Sequence, residues 1–261
     1  MRRLHEHLIE DRRDEVAILR IEREEALGAL SRSLVESIGS YFEALRDDPA
    51  VRVLLLTGTG KGFIAGADIG EYHAVSSDEF DSYQRLSRRV FSTLESLPQI
   101  TIAAVNGYAL GGGFEVALCC DLVVAAERAR FGLPEIKLGL LPGGGGTQRL
   151  ARAAGIRFAT EAVLTGRFID ADELRASGVV SRVHPAGELM DRAIELAEEI
   201  AGRPPMAVAE AKHVLRTGLE GGLEDGLTIE QQALSRLFGT ADAAEGINAF
   251  LNKREPRFVG R

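Results

Sequence analysis

The sequence predicts an α/β fold, because short apolar strands and an amphipathic helix alternate through its first half. Residues 15–21 and 51–58 are short, apolar and rich in β-branched side chains, which is typical of buried strands. Residues 100–106 and 122–126 have the same character. Between the first two strands, Ser31 can cap a helix in which apolar residues recur every three or four positions. These apolar residues are Leu34, Val35, Ile38, Tyr41, Phe42 and Leu45.

After Gly146 the pattern becomes helical, with one further strand predicted at residues 179–183. The predicted helices cover residues 147–154, 156–164, 171–177, 188–201 and 205–217. A turn at residues 202–205 separates the last two. We therefore predict a main α/β domain at residues 1–200 and a helical region at residues 201–261. That region is too small for a core of its own, so it is expected to pack on the main domain or on a neighbouring subunit.

The composition is that of a soluble globular protein, since 45% of the 261 residues are hydrophobic and 27% are charged. A formal charge of −8 disfavours a general nucleic-acid binder. No apolar run approaches the ~18 uncharged residues of a membrane-spanning helix, and the first residues lack the apolar stretch of a signal peptide. Cys119 and Cys120 are adjacent and cannot readily bridge each other. We expect a cytoplasmic protein with no membrane partner.

Two glycine-rich stretches follow predicted strands, but only the second predicts a ligand site. Residues 58–62 lack both the third glycine of a dinucleotide fingerprint and the Ser or Thr of a phosphate loop. At residues 111–115 a helix begins, so the Gly112 N–H can point at a ligand oxygen. Glu115 follows three residues later, on the same side of that helix. The alternative is that Glu115 is a structural acid or a partner of the helix dipole.

Glu135 is the second candidate acid, and it precedes a glycine run at residues 143–146 whose backbone can approach a ligand. Its alternative role is structural, because Pro followed by Glu commonly begins a helical turn. Upstream, small residues at 65–67 leave the backbone accessible, so the Ala67 N–H is another candidate donor. Asp68 and Glu71 fit a capping box, which favours a structural role for Asp68.

Other kinds of catalytic site find little support in the sequence. The five histidines show no metal-ligand spacing, and no serine lies in a G-x-S-x-G motif. We therefore expect neither a metal site nor a serine-hydrolase site.

Three long segments resemble the enoyl-CoA hydratases of the crotonase superfamily. They are FIAGADIGEY at residues 63–72, AAVNGYALGGGFEVALCCDLVVAA at 103–126 and FGLPEIKLGLLPGGGGTQRL at 131–150. The similarity extends over nearly the whole chain. It implies a crotonase-like spiral of ββα turns with a helical C-terminal region, and a homotrimer or homohexamer.

The resemblance also implies the reaction, a reversible syn addition of water to a trans-2-enoyl-CoA that gives a 3-hydroxyacyl-CoA in acyl-CoA metabolism. Ala67 and Gly112 would hold the thioester oxygen in an oxyanion hole. Glu115 would help to deprotonate a water, and Glu135 would protonate the α-carbon. No cofactor is implied, because coenzyme A is part of the substrate.

Further residues are implied to contact the substrate, and two positions depart from the family pattern. The implied contacts are Ala26, Ala65, Gly66, Asp68, Ile69, Gly111 and Lys253. Lys253 matches a basic position that reaches CoA phosphates, in some relatives from a neighbouring subunit. Glu25 and Gly70 stand where relatives often have lysine. Both changes bear on how CoA is held.

Two alternatives remain open. The same fold supports double-bond isomerisation, dehalogenation and carbon–carbon bond cleavage, although Glu115 argues against simple isomerisation. A non-catalytic RNA-binding or interaction protein is a further alternative, which the net negative charge of the chain disfavours. The preference for one acyl group over another depends on the residues that line the acyl pocket. We expect residues 72–83 and the C-terminal helices to be among them.

Overall fold

The computed structural model describes residues 1–261. Its strands are β1 (Arg2–His5), β2 (Leu8–Arg13), β3 (Val16–Ile21), β4 (Val53–Gly58), β5 (Gly62–Ile64), β6 (Ile100–Val105), β7 (Tyr108–Leu110), β8 (Leu122–Ala126), β9 (Arg130–Gly132), β10 (Ile169–Asp170) and β11 (Arg182–His184). Its helices are α1 (Arg32–Arg46), α2 (Ser77–Glu95), α3 (Gly112–Cys119), α4 (Gly146–Ala154), α5 (Ile156–Thr165), α6 (Ala171–Ala176), α7 (Leu189–Ala201), α8 (Pro205–Thr217), α9 (Leu223–Phe238) and α10 (Ala241–Leu251).

The strands form two sheets, linked by repeated ββα turns. The larger sheet has seven strands in the order β1-β2-β3-β4-β6-β8-β11, and the smaller has four in the order β10-β9-β7-β5. In three successive turns, the first strand (β4, β6, β8) joins the larger sheet and the second (β5, β7, β9) joins the smaller. Each turn then continues into a helix, and both strand series pair in parallel. This spiral confirms the predicted α/β fold.

Both faces of the larger sheet are buried, since adjacent residues of a strand point to opposite faces. In β3, Ala17 and Leu19 join the main core with α1, whereas Val16 and Ile18 face the second core. Apolar residues of α7 complete that second core. The periodicity of α1 is confirmed, because Ser31 accepts a hydrogen bond from the Leu34 N–H at 3.3 Å and all six predicted apolar residues are buried.

The predicted strand at residues 179–183 is wrong in its bounds. The N–H groups of Val179 and Val180 donate to the carbonyl of Leu174, at 2.9 and 3.2 Å, and so close the turn that follows α6. Strand pairing therefore starts only at Arg182, which lies opposite Val124. Strands β1 and β2 and helix α2 were not predicted from the sequence.

The C-terminal helices add little to either core. Beyond Ala201 the buried apolar residues are Ala233 and Ala249. Large apolar side chains of α8 to α10 and their connections are exposed, namely Met206, Leu215, Leu219, Leu223, Leu227, Leu234, Phe238, Ile247, Phe250 and Leu251. None of the helices combines the length and the apolar character needed to cross a membrane. The predicted division near residue 200 remains a prediction.

Candidate active site

One open cleft of about 650 Å³ lies beside the carboxyl ends of β5 and β7. Its walls come from the segment after β5, one face of α2, the start of α3 and the turn that precedes α4. Its volume falls within the range of small-molecule sites, roughly 300–1,000 Å³. Among its 24 lining residues, only Glu115 and Glu135 are charged.

The start of α3 requires glycine at two positions. Gly111, which precedes the helix, has φ 49° and ψ −123°, a backbone conformation that residues other than glycine rarely adopt. A Cβ on Gly113 would lie 1.8 Å from the Ile64 carbonyl oxygen, so α3 can approach β5 only with glycine there. Together these glycines hold the first turn of α3 against the segment that follows β5.

The backbones of Ala67 and Gly112 come close together in the cleft wall. Leu30 fixes the Ala67 segment, because its N–H donates to the Gly66 carbonyl at 2.9 Å and its carbonyl accepts from the Asp68 N–H at 2.8 Å. A Cβ on Gly112 would lie 3.9 Å from the Ala67 nitrogen. Neither N–H donates to another group of the chain. Both N–H groups are therefore free to donate to a ligand oxygen, and a shared acceptor stays a prediction.

Glu115 lies in the first turn of α3 and is 3% exposed. Its Oε1 accepts hydrogen bonds from the N–H groups of Gly144 and Gly146, both at 2.8 Å. Burial raises the pKa of Glu115, while these two bonds and the charge of Arg149 oppose the increase. The glycine run, which the sequence predicts to approach a ligand, here approaches the carboxylate.

Glu135 lies in the 3₁₀ turn Pro134–Leu138, and the surroundings of its carboxyl group differ from those of Glu115. Its Oε2 is buried without a hydrogen-bond partner, and its Oε1 would lie 2.8 Å from a Cβ on Gly111. Burial raises the pKa of Glu135 to about 7, and the charge of Glu115 adds to the increase. Protein donors therefore stabilise the charged form of Glu115, whereas Glu135 more readily keeps its proton.

Asp68 is turned away from the cleft. Its Oδ2 pairs with Arg23 Nη2 at 2.7 Å, and its Oδ1 accepts from the Gly70 N–H at 3.1 Å, which caps the 3₁₀ turn Ile69–Tyr72. The predicted capping box is therefore only half formed. Glu71 does not reach back to Asp68, because its carboxylate accepts a hydrogen bond from the Arg32 N–H at 2.7 Å.

The structure brings most of the predicted site residues together. The cleft is lined by Ala65, Gly66, Ala67, Ile69, Gly111, Gly112, Glu115 and Glu135. Ala26, Asp68 and Lys253 are not among the lining residues. Ala26 ends a 3₁₀ turn and Lys253 follows α10, so a contact from either with substrate stays a prediction. No group of His, Cys, Asp and Glu side chains is placed to hold a metal.

Most of the α2 wall was not predicted from the sequence. This wall consists of Phe80, Tyr83, Gln84, Ser87 and Phe91. These residues are spaced three, one, three and four positions apart. That pattern could have shown that they share one face of a helix. Tyr72, Phe80 and Tyr83, from the expected segment 72–83, line the cleft, whereas no residue of the C-terminal helices does, and a contact with the acyl group stays a prediction.

Comparison with known proteins gives matches over almost the full length. Residues 11–261 match the family model described as enoyl-CoA hydratase/isomerase. A 2,3-dehydroadipyl-CoA hydratase of Escherichia coli K12 is 42% identical, over 97% of this chain and 99% of the relative. A crotonyl-CoA hydratase of Syntrophomonas wolfei is 38% identical, over 98% and 99% of the two chains.

Solved structures agree with these sequence matches. An enoyl-CoA hydratase from Bacillus anthracis aligns with a TM-score of 0.96 at 39% identity, covering 98% of this chain and 100% of that one. The resemblance drawn from the three sequence segments and the crotonase-like fold are both confirmed. The chain belongs to the enoyl-CoA hydratase/isomerase family.

Proposed function

We propose that the chain is an enoyl-CoA hydratase, which adds water reversibly to a trans-2-enoyl-CoA and gives a 3-hydroxyacyl-CoA. The observation that carries the proposal is the placement of two carboxylates, Glu115 and Glu135, in one cleft with the N–H groups of Ala67 and Gly112. The full-length similarity to named hydratases supports it.

The two N–H groups would act on the thioester carbonyl. As water adds to the β-carbon, the double-bond electrons move toward the thioester oxygen, which becomes an enolate oxygen. Ala67 and Gly112 would donate hydrogen bonds to that oxygen, where its negative charge develops. Donors fixed in the fold need no reorganisation at that moment, so they favour the transition state over the ground state.

The two glutamates would divide the proton transfers. Glu115, whose ionised form is supported by two N–H donors, would accept a proton from water as the oxygen bonds to the β-carbon. Glu135, whose pKa is raised to about 7 by burial, would give its proton to the α-carbon as the enolate collapses. Return of one proton from Glu115 to Glu135 through solvent would complete the cycle. No cofactor enters these steps, because coenzyme A is part of the substrate.

We also propose a homotrimer or homohexamer, in which the exposed apolar residues of α8 to α10 are covered by other copies. In such an assembly Lys253 would contact CoA phosphates. Light scattering after gel filtration would test this through the mass, expected at three or six times 28.1 kDa. A monomer would contradict it. A cytoplasmic location, consistent with two free buried cysteines, remains part of the proposal.

The reaction is tested by product analysis with a panel of enoyl-CoA substrates. Hydration adds the mass of one water to the thioester, whereas isomerisation leaves the mass unchanged and cleavage of a carbon–carbon bond lowers it. We expect a 3-hydroxyacyl-CoA product. If no enoyl-CoA in the panel gains a water, the proposed function is wrong. Salt-dependent RNA binding without acyl-CoA binding would instead favour the non-catalytic alternative.

A further inference from the structure

The cleft contains a second polar group of side chains, separate from the two glutamates and from the two N–H donors. Gln84 Nε2 donates to the Tyr72 hydroxyl oxygen at 3.3 Å. The Tyr72 ring packs edge-on against Phe80 and Tyr83, with ring centroids 5.2 and 5.5 Å away. Tyr72, Phe80, Tyr83 and Gln84 all line the cleft. The ring contacts and the amide hydrogen bond thus fix the orientation of the phenol.

The Tyr72 hydroxyl remains able to donate a hydrogen bond. It serves as acceptor toward Gln84, while the neighbouring Tyr83 hydroxyl donates to the Leu30 carbonyl at 3.1 Å. Burial raises the pKa of Tyr72 to about 12, and the charges of Glu115 and Glu135 add to the increase. The phenol therefore keeps its proton at neutral pH and can serve as a donor to a substrate group.

We propose that Tyr72 and Gln84 form a hydrogen-bonding acyl subsite, which selects enoyl-CoA substrates that carry a neutral polar group. This inference rests on the proposed hydratase function. It makes Tyr72 and Gln84 specificity-determining residues, in a wall of the cleft distinct from the oxyanion donors.

Two six-carbon 2-enoyl-CoA substrates form a matched test, one ending in a methyl group and one in a hydroxyl group (2-hexenoyl-CoA and 6-hydroxy-2-hexenoyl-CoA). We expect kcat/KM to be about fivefold higher for the hydroxyl than for the methyl substrate, as one hydrogen bond would give.

Tyr72→Phe removes the hydroxyl and keeps the ring, so it should bring the hydroxyl-to-methyl ratio down to about one. Gln84→Leu should lower the same ratio in part. Tyr108→Phe is the matched control, because Tyr108 does not line the cleft, and it should keep the wild-type ratio. A hydroxyl-to-methyl ratio of about one in the wild type, or a ratio unchanged in Tyr72→Phe, would overturn the inference. Absence of hydration with both substrates would instead overturn the proposed function.

A different observation, an ion-pair network behind Glu115, carries a second inference. Arg149 on α4 donates from Nη1 to the Gly144 carbonyl at 2.7 Å, and from Nη2 to Glu95 at 2.5 Å. Glu95 also pairs with Arg216 of α8 at 2.9 Å, and Arg216 pairs with Asp121 at 2.8 Å. The Gly144 N–H donates to Glu115. The network holds the carbonyl of the same glycine, and so it fixes the loop that orients this carboxylate.

We further propose that Arg149 is a positioning residue, which acts on the reaction through Glu115, and that Glu95 moderates its charge. This inference also rests on the proposed function. It connects the C-terminal helix α8 with the active site through Arg216.

The groups around Glu115 permit a test by pH dependence. They are Arg149, Glu135, Tyr72 and Cys119, with Glu95 and Arg216 behind Arg149. Burial raises the pKa of Cys119 and of Tyr72 to about 12, so both stay neutral across the range of the assay. Arg149 lowers the pKa of Glu115, and Glu95 offsets part of that positive charge. Removal of Arg149 and removal of the Glu95 charge should therefore have opposite effects.

The measurement is the pH profile of kcat for crotonyl-CoA hydration. Arg149→Met should lower kcat about tenfold and move the acidic limb to higher pH, while KM changes less than kcat. Arg149→Lys should restore part of kcat. Glu95→Gln should move the acidic limb to lower pH. Arg152→Met is the control, because Arg152 is an exposed arginine on the same helix.

Shifts of the acidic limb in the same direction for Arg149→Met and Glu95→Gln, or no shift in either, would overturn the second inference. Should Arg149→Met fail to fold, Glu95→Gln and Arg149→Lys still decide it. If Glu115→Gln retains full activity, the proposed role of Glu115 is wrong, which is a distinct outcome.

Discussion

The Gly144 N–H donates a 2.8 Å hydrogen bond to Oε1 of Glu115, and a Cβ on the same glycine would lie 2.6 Å from Oε2. Gly144 thus donates a hydrogen bond to the carboxylate and also packs directly against it. The same Cβ would lie 2.5 Å from the Phe91 ring. Glycine at this position allows the loop to close over Glu115 with two amide donors in place.

Gly144→Ala should therefore displace Glu115 or the loop and lower kcat roughly tenfold to a hundredfold, since small misplacements of catalytic groups cost about that much. Steady-state hydration of crotonyl-CoA would measure the effect. Gly187→Ala is the control, because a Cβ there meets nothing within 4 Å and should leave kcat as in wild type. Full activity in Gly144→Ala would show that the loop tolerates a Cβ without moving the carboxylate.

The pH dependence of hydration should reflect the two different carboxylates. The proposed mechanism requires Glu135 protonated and Glu115 ionised. Because the pKa of Glu135 is raised to about 7, kcat/KM should decline about tenfold per pH unit above that value. It should also decline in acid as the pair takes up a second proton. A pH–rate profile with a flat region from pH 6 to about 9 would contradict this assignment.

Glu135 should also make the fold less stable at alkaline pH. Its carboxyl has a pKa of about 7 in the folded chain, against 4.5 for a glutamate exposed to solvent, so the folded state binds the proton more tightly. Its stabilising contribution is full below pH 4.5 and is lost as pH rises through about 7. Allowing for partial exposure, Glu135→Gln should raise the free energy of unfolding by roughly 1–2 kcal/mol at alkaline pH, relative to wild type.

Thermal or urea unfolding at about pH 5 and pH 8.5 would test that difference, which should be smaller at the lower pH. The activity of the same variant should be low at both values. An equal effect on stability at both pH values would mean that the Glu135 charge does not destabilise the fold.

The Arg23–Asp68 ion pair predicts a structural effect that is distinct from catalysis. Asp68→Ala removes both the ion pair and the cap on the Gly70 N–H, so it should lower the free energy of unfolding by about 1–2 kcal/mol. Asp68→Asn keeps a capping oxygen and should lose less. Urea unfolding of both variants provides the measurement. Equal losses would show that the cap contributes nothing.

Local patterns in the sequence were sufficient for the buried strands and α1. Each buries a continuous apolar pattern, and Ser31 marks the start of the helix. The α2 helix was missed because its apolar residues are divided between the core and the cleft wall, with many charged residues between them. The strand at 179–183 was misplaced because Val179 and Val180 are buried by a turn, and a short apolar run does not distinguish a turn from a strand.

The site was predictable where one short segment carries it, as with Gly112 and Glu115 on the first turn of α3. The contact of Glu115 with the residue 144–146 loop joins positions some 30 residues apart, and only the fold brings them together. The same applies to Arg149 and Arg216, since nothing in their local sequence distinguishes them from solvated arginines. Glu135 was placed chiefly by family resemblance, and the structure adds the physical reason why its carboxyl retains a proton.

The proposed mechanism depends most on the pair of glutamates, and one assay tests them directly. The ultraviolet absorbance of crotonyl-CoA should decline on addition of the wild-type protein as water adds to the conjugated double bond. Glu115→Gln and Glu135→Gln should each slow that decline by orders of magnitude, because each removes one proton-transfer group. Wild-type rates in either variant would contradict the two-carboxylate mechanism.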